Sequence, residues 1–348
     1  MNRKGDLLAQ KHPLRYNQNM KIKKIAKPLI IIFSSIFVLC ALLQLLCLFF
    51  VYQSFRPLPS INAPDSPHFV QERKRPYNSN DPVEVLNYNE KERCYPILKS
   101  ISQKVSIKSF DGLNLNAHLA EHKEEATNHN YIILMHGFRD SSKIVSPYAI
   151  HFYNKGFNIL VPGQRGHGWS EGKHIDMSAF TPQDVKSWID FICQKDGDAK
   201  IALWGISMGG STVMRATGLS LPSNVVCCIE DCGFSSAWDE FVYQMKTAYK
   251  IPGRLMMPYF NLYCKRKLGI DCKIISAKDD LKRSVTPTLF IHGDADTFVP
   301  FYMLNEVYDS AACTKEMLII PAADHARSAF AAPESYWQAT DDFLAKYF

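Results

Sequence analysis

From residue 131 onward the chain repeats one grammar: a short apolar run, then a longer stretch of helical spacing, then another apolar run. Tyr131 to Met135, Asn158 to Val161, Ile201 to Trp204, Val225 to Glu230, Thr288 to Ile291 and Glu316 to Ile320 are too short and too uniformly apolar for surface helices. Between or after them, Ile144 to Tyr153, Thr181 to Gln194, Pro300 to Tyr308 and Glu334 to Tyr347 carry apolar residues at helical intervals. Apolar strands alternating with helices predict a mostly parallel sheet covered on both faces. Val105 to Phe110 and Leu113 to Leu119 alternate instead, around the turn Asp111-Gly112, and predict two antiparallel edge strands. The chain shows no internal sequence repeat.

The third of those apolar runs ends in Gly205-Ile206-Ser207-Met208-Gly209, and Ser211 to Leu219 continues as a helix. Glycines on either side let backbone pass close while the serine is forced into a tight turn with its hydroxyl outward. A serine hydroxyl is a weak nucleophile at neutral pH, so Ser207 needs a base and an acid to orient that base. His325, in the small-residue loop Pro321-Ala322-Ala323-Asp324-His325-Ala326 after the last strand, is the expected base; His136, His167 and His292 also sit at strand ends or turns. Asp296 is the expected acid, a turn beyond the strand ending at His292-Gly293. Asp294 is expected to hold loop amides, and Asp231, closing the preceding strand, is a fallback acid. The oxyanion needs two amides, which Met208, opening the helix, and Phe138, in Met135-His136-Gly137-Phe138-Arg139, are placed to supply.

Between Cys232 and Lys278 the alternation is broken by a helix-like insertion rich in aromatic residues, methionine and lysine, including Trp238, Phe241, Tyr243, Met256, Tyr259 and Phe260. An insertion on the C-terminal side of the sheet, where ligands collect, is expected to form a lid over Ser207, at about residues 233–278.

Ahead of the sheet the chain reads differently. Leu29 to Tyr52 carries no charged residue and exceeds the roughly 20 residues a helix needs to cross a bilayer. No small-x-small cleavage site follows it, so an uncleaved anchor is expected. Met1 to Lys27 holds Arg3, Lys4, Lys11, Arg15, Lys21, Lys23, Lys24 and Lys27 against Asp6 alone, which is +7. The formal charge of the whole chain is +6, leaving −1 for the rest, so no basic face argues for nucleic acid. Cations before the span place the N-terminus in the cytoplasm and the body outside. The expected organisation is a basic cytoplasmic tail at 1–28, a transmembrane helix at 29–52, a Pro- and Asn-rich tether at 53–84 and one catalytic domain at 85–348. The stretch from Val85 to Ile101 has the look of a helix laid on that domain. Of the 10 cysteines, Cys264 and Cys272, bracketing a charged loop, are the pair expected to bridge in an oxidising compartment. No cysteine or histidine spacing suggests a metal site.

From about Val105 to the C-terminus the chain resembles the α/β-hydrolase superfamily, and within it bacterial serine hydrolases spanning esterases, monoacylglycerol-lipase-like and serine-aminopeptidase-like proteins. The resemblance rests on His136-Gly137, on Arg165-Gly166-His167-Gly168-Trp169-Ser170, on the Ser207 elbow, and on His292-Gly293 through Pro300 with His325. It implies an eight-stranded, mostly parallel α/β-hydrolase sheet with a helical lid after strand six, and a triad of Ser207, Asp296 and His325. No cofactor is implied. Gly163 departs from the pattern, standing where such proteins usually carry a structural aspartate. The expected activity is ester hydrolysis through an acyl-enzyme, on a small-molecule substrate. An exopeptidase or amidase, with Lys246 or Arg254 gripping a peptide terminus, is the second expectation, and a binding protein without turnover the third.

Overall fold

The computed structural model describes residues 12–56, 80–122 and 128–348, with side chains from residue 27 onward. It falls into two units, Met1–Gln53 and Ser54–Phe348.

The first unit is the bulk of helix α1 (His12–Phe55). Its portion Lys27–Phe55 is apolar and long enough to cross a membrane, a property that anchors share with signal sequences. From His12 onward the described part of the basic stretch runs into the apolar one in the same helix. The expected tether falls mostly on residues 57–79, outside the described residues.

The second unit opens with α2 (Pro82–Ile101), which starts three residues before the expected Val85. Asp81 explains the start: its carboxylate accepts the amides of Val83 and Glu84, and proline follows directly as the first helical residue. Then come β1 (Gln103–Lys108), β2 (Asn114–Ala120), β3 (Asn130–Met135), α3 (Ser142–Asn154), β4 (Asn158–Pro162), α4 (Thr181–Lys195), β5 (Lys200–Ile206) and α5 (Met208–Thr217). The chain continues through β6 (Val225–Asp231), α6 (Ala237–Thr247), α7 (Gly253–Leu268), α8 (Ala277–Leu281), β7 (Thr288–Gly293), α9 (Tyr302–Ser310), β8 (Lys315–Ile320), α10 (Ser328–Ala331) and α11 (Pro333–Leu344).

The strands form one eight-stranded sheet in the order β1-β2-β4-β3-β5-β6-β7-β8. β1 and β2 pair antiparallel, as does β2 with β4, and every later pairing is parallel. The period of two along each strand divides the core into layers. Ile132 and Leu134 of β3, Ala202 and Trp204 of β5 and Ile291 of β7 face α3 and α11, where the Tyr148 ring lies tilted, 4.4 Å from that of Trp204. Ile133 and Met135 of β3 and Leu203 of β5 face α4 and α5, meeting Trp188, Ile192 and Val213. Each inner strand is therefore apolar on both sides, which is why those runs lack polar alternation. The insertion after β6 resolves into α6, α7 and α8.

Cys272 carries a free thiol, so the expected Cys264–Cys272 bridge is not formed. Both side chains are buried, where cysteine packs as a small apolar residue. The Gly163 turn is closed without an aspartate: Ser170 Oγ donates to the Gly163 carbonyl at 2.6 Å and the Gly163 amide donates to Asn116. Next to it Arg165, buried, makes a two-pronged contact with Asp184 at 2.6 Å and reaches Asp111 at 3.0 Å.

Candidate active site

Ser207 stands between β5 and α5 with φ 57° and ψ −122°, a conformation that a residue with a Cβ adopts only under constraint. The constraint is steric on both sides. A Cβ at Gly205 would lie 2.2 Å from the Gly209 carbonyl oxygen, and one at Gly209 would lie 2.1 Å from that of Met135. Only glycine lets β3, β5 and α5 converge this closely, and the convergence turns the serine side chain out of the sheet's C-terminal edge. The Ser207 amide is spent on the Asp231 carbonyl at 2.8 Å, pinning the elbow to β6.

His325 arrives on the loop after β8, where Ala322 and Ala326 both take positive φ (58° each). Its Nε2 lies 2.8 Å from Ser207 Oγ, and its Nδ1 lies 2.7 Å from Asp296 Oδ2. A carboxylate only accepts, so Nδ1 carries the proton and Nε2 is left as an acceptor for the serine hydroxyl. Asp296 is buried, and its other oxygen, Oδ1, accepts the amides of Phe298 and Val299 at 2.8 and 2.9 Å. Burial by itself raises this carboxyl, but hydrogen bonds from His292 and His325 outweigh it and hold Asp296 below the usual carboxylate range. Asp231, the fallback acid, points elsewhere: its Oδ2 accepts the Tyr336 hydroxyl at 3.0 Å. Burial pushes it up to about 6. Asp294 accepts the Ala322 amide at 2.6 Å and so holds a loop.

The loop after β3 passes directly over the elbow, with a Cβ built at Gly137 falling 3.4 Å from the Ser207 Cβ. Its amides are allotted one by one. Arg139 N–H donates to His167 Nε2 at 3.1 Å, and Asp140 N–H to the Gly137 carbonyl at 3.3 Å. Between Gly137 and Arg139 stands Phe138, whose amide donates to no acceptor among the described residues. Met208 N–H, at the first turn of α5, is left over by helix geometry in the same way. Two amides beside one hydroxyl can receive an oxygen that becomes negative as its carbon turns tetrahedral.

Two histidines not assigned a role from sequence hold this loop. His136 Nε2 accepts the Gln164 amide at 3.1 Å while Nδ1 faces the Gly137 carbonyl at 2.9 Å. His167 repeats the scheme, accepting from Arg139 at Nε2 and facing the Arg165 carbonyl at Nδ1, 3.1 Å away. Each ring therefore has its proton on Nδ1 and must stay neutral to keep its acceptor. Burial enforces this, pushing His136 down to about 3 and His167 to about 4. The available signal was the pairing of two strand-end motifs, His136-Gly137 and Gly166-His167, which only the fold shows to be adjacent.

A third histidine stands behind the acid. His292, at the end of β7, is fully buried, and its Nε2 lies 3.1 Å from Asp296 Oδ2 and 3.0 Å from the Val299 carbonyl. Both are acceptors, so this nitrogen carries a proton. Glu230 of β6 and Glu240 of α6 are buried near this imidazole, and burial pushes each carboxyl up to about 8. The lid is fastened here as well: Tyr243 Oη donates to the Thr297 carbonyl and Gln244 Nε2 to that of Phe298. The Phe298 ring sits 4.9 Å from the His325 ring. Among the described residues, Cys232, Asp296 and His325 have ligand atoms within 4.8 Å of one another, close enough to hold an ion. Two of the three are already hydrogen-bonded to each other, which competes with such a use.

The chain is matched over residues 126–255 by the model of a family described as serine aminopeptidase, S33. It is 24% identical to the uncharacterized protein YqkD of Bacillus subtilis (strain 168), over 62% of this chain and 71% of that protein. With the uncharacterized protein YfhR of Salmonella typhi it shares 24% identity, over 56% of this chain and 63% of that one. The esterase Pf2001 of Pyrococcus furiosus superposes with a TM-score of 0.59 at 20% identity, covering 72% of this chain and 95% of that one. Est1E from Butyrivibrio proteoclasticus, solved with ferulic acid bound, gives a TM-score of 0.53 at 20% identity, covering 70% of this chain and 98% of that one.

Proposed function

We propose that this chain, an α/β-hydrolase by fold, is a serine hydrolase held at the membrane by Lys27–Phe55, and that it cleaves carboxylic esters. The observation that carries the reading is the continuous relay from Ser207 Oγ through His325 to Asp296, at 2.8 and 2.7 Å.

Ser207 Oγ attacks the ester carbonyl carbon as its proton passes to His325 Nε2, and Asp296 stabilises the imidazolium that forms. The carbonyl oxygen, now anionic, is received by the amides of Phe138 and Met208. Collapse breaks the bond to the alkoxy oxygen, which leaves as an alcohol with the proton from Nε2. The acyl group stays on Ser207 as an ester. Water then gives a proton to Nε2 and adds its oxygen to the acyl carbon, and the second collapse returns the proton to Ser207 and frees a carboxylic acid. An ester is favoured because Phe298, 45% exposed beside His325, offers the leaving group an apolar wall.

The family model's own description favours a second reading, an aminopeptidase or amidase. The attack is the same, but a peptide terminus needs a charged grip. Lys246 and Arg254, the sequence candidates, both lie exposed on the lid helices. A panel of acyl esters beside aminoacyl amides separates the two. A fluorophosphonate probe tests the common core: wild-type protein becomes labelled and Ser207→Ala does not. Failure of the wild type to label favours a binding protein and sinks the hydrolase reading.

A further inference from the structure

The lid helix α7 is apolar on two sides. Met256, Met257, Phe260 and Cys264 are buried inward, as a covering helix requires. Yet Leu255, Tyr259 and Leu262 stand 70%, 57% and 47% exposed, at the i, i+4, i+7 spacing that puts them in one line on the outer face. Ile274 and Val285, also strongly exposed, sit singly in loops and make no such line.

Charge marks what the line faces. The sequence of α7 contains no acidic residue, while Arg254 precedes the line and Lys265, Arg266 and Lys267 follow it in the last turn. Lys265 is paired with Asp271 at 2.8 Å, whereas Arg254, Arg266 and Lys267 have no ion pair among the described residues. An apolar stripe bordered by cations suits an anionic interface, where apolar side chains enter the acyl boundary and cations meet the headgroups. A second copy of the same cationic face would be repelled.

Chain connectivity brings the end of the apolar helix to the same element. Phe55, the last residue of the apolar helix, is buried against the lid, its ring centroid 5.8 Å from that of Phe241 in α6 and 6.0 Å from that of Phe260 in α7. The residue that ends the apolar stretch is thus packed on the inner side of α7.

We propose that the outer face of α7, through Leu255, Tyr259 and Leu262 with Arg254, Arg266 and Lys267 beside them, docks on the surface of an anionic lipid bilayer. The docked lid would present the site to acyl esters that reside in that bilayer. The proposal rests on the anchor of the preceding section and not on turnover by Ser207.

The test uses the full chain reconstituted in vesicles of brominated phosphatidylcholine, with and without phosphatidylglycerol. The tryptophan emission added by Tyr259→Trp is expected to be quenched at least about twofold in the anionic vesicles, because the ring lies at the acyl boundary. The emission added by Tyr88→Trp on α2, also an exposed tyrosine, is expected to stay unquenched. Adding Leu255→Glu and Leu262→Glu to Tyr259→Trp is expected to abolish the quenching. Unquenched Tyr259→Trp in both vesicles overturns the docking, and is the result expected if the stripe serves a protein partner. Quenching that survives the two glutamates overturns it too. Should the glutamate variant fail to fold, the comparison of Tyr259→Trp with Tyr88→Trp still decides. A chain that carbonate strips from the vesicles lacks the anchor itself, a failure distinct from an anchored chain whose lid stays dry.

Discussion

His292 and His325 share one oxygen: both reach Oδ2 of Asp296, at 3.1 and 2.7 Å. The first approaches from within the core and the second from the loop that meets Ser207.

If that carboxylate fixes the tautomer of His325, Asp296→Asn should lower kcat by about 10⁴ with little change in KM, since its amide can present a donor to Nδ1. His292→Ala should cost less, about tenfold to a hundredfold, and should displace the acid limb of the kcat/KM profile. A purely structural role for His292 predicts lost stability with an unmoved pH profile. Steady-state kinetics across pH on both variants decides.

The loop over the elbow sets the acid limit. His136 and His167 have folded-state values depressed to about 3 and about 4, so the stability they contribute is fully present above the ordinary imidazole range and is lost as pH falls through those values. Thermal melting should therefore fall steeply below about pH 6. In His167→Phe, which removes the acceptor for the Arg139 amide, kcat should drop about tenfold to a hundredfold at neutral pH as the Phe138 amide loses its placement.

The alkaline side is set by the opposite shift. Glu230 and Glu240 are raised to about 8, so each is protonated in the fold at neutral pH. Their contribution is fully present below the ordinary carboxyl value and is lost as pH rises through about 8. Glu230→Gln with Glu240→Gln, neutral at every pH, should flatten the decline of the melting temperature between about pH 5 and 9. An unchanged slope would show that other groups govern it.

Arg165→Met should destabilise the protein by about 3–5 kcal/mol, because it strands Asp184 as a buried carboxylate without its partner. Arg165→Met with Asp184→Leu should recover much of that loss, as replacing both members of a buried pair often does. Urea unfolding of the single and double variants measures the difference.

Topology makes a separate prediction. Protease added to intact cells should cut between the span and α2, within the Pro- and Asn-rich residues 57–79, and release the sheet-bearing unit. Protection from outside would place that unit on the other face of the membrane.

The inner strands were legible in the chain because burial on both faces leaves its mark locally, as uninterrupted apolar runs, the β1–β2 pair because an edge position leaves alternation, and the Gly205-x-Ser207-x-Gly209 elbow because close backbone approach leaves no alternative to glycine. The start of α2 was equally local, in Asp81 and Pro82, but lay hidden in a stretch whose prolines and asparagines read as linker. Beyond the triad that the resemblance implied, what depended on distant partners was not legible. No local pattern says that Arg165 finds Asp184 and Asp111, that β4 inserts between β2 and β3, or that His167 caps an amide 28 residues upstream. Nor could spacing reveal that one carboxylate serves two imidazoles, or that the aromatic lid insertion keeps Leu255, Tyr259 and Leu262 on its outer face. Periodicity states that a side chain is apolar or could be reactive, because that follows from its neighbours in sequence. Which group faces it, and whether anything faces it, is fixed only when chain segments far apart are brought within a hydrogen bond of each other.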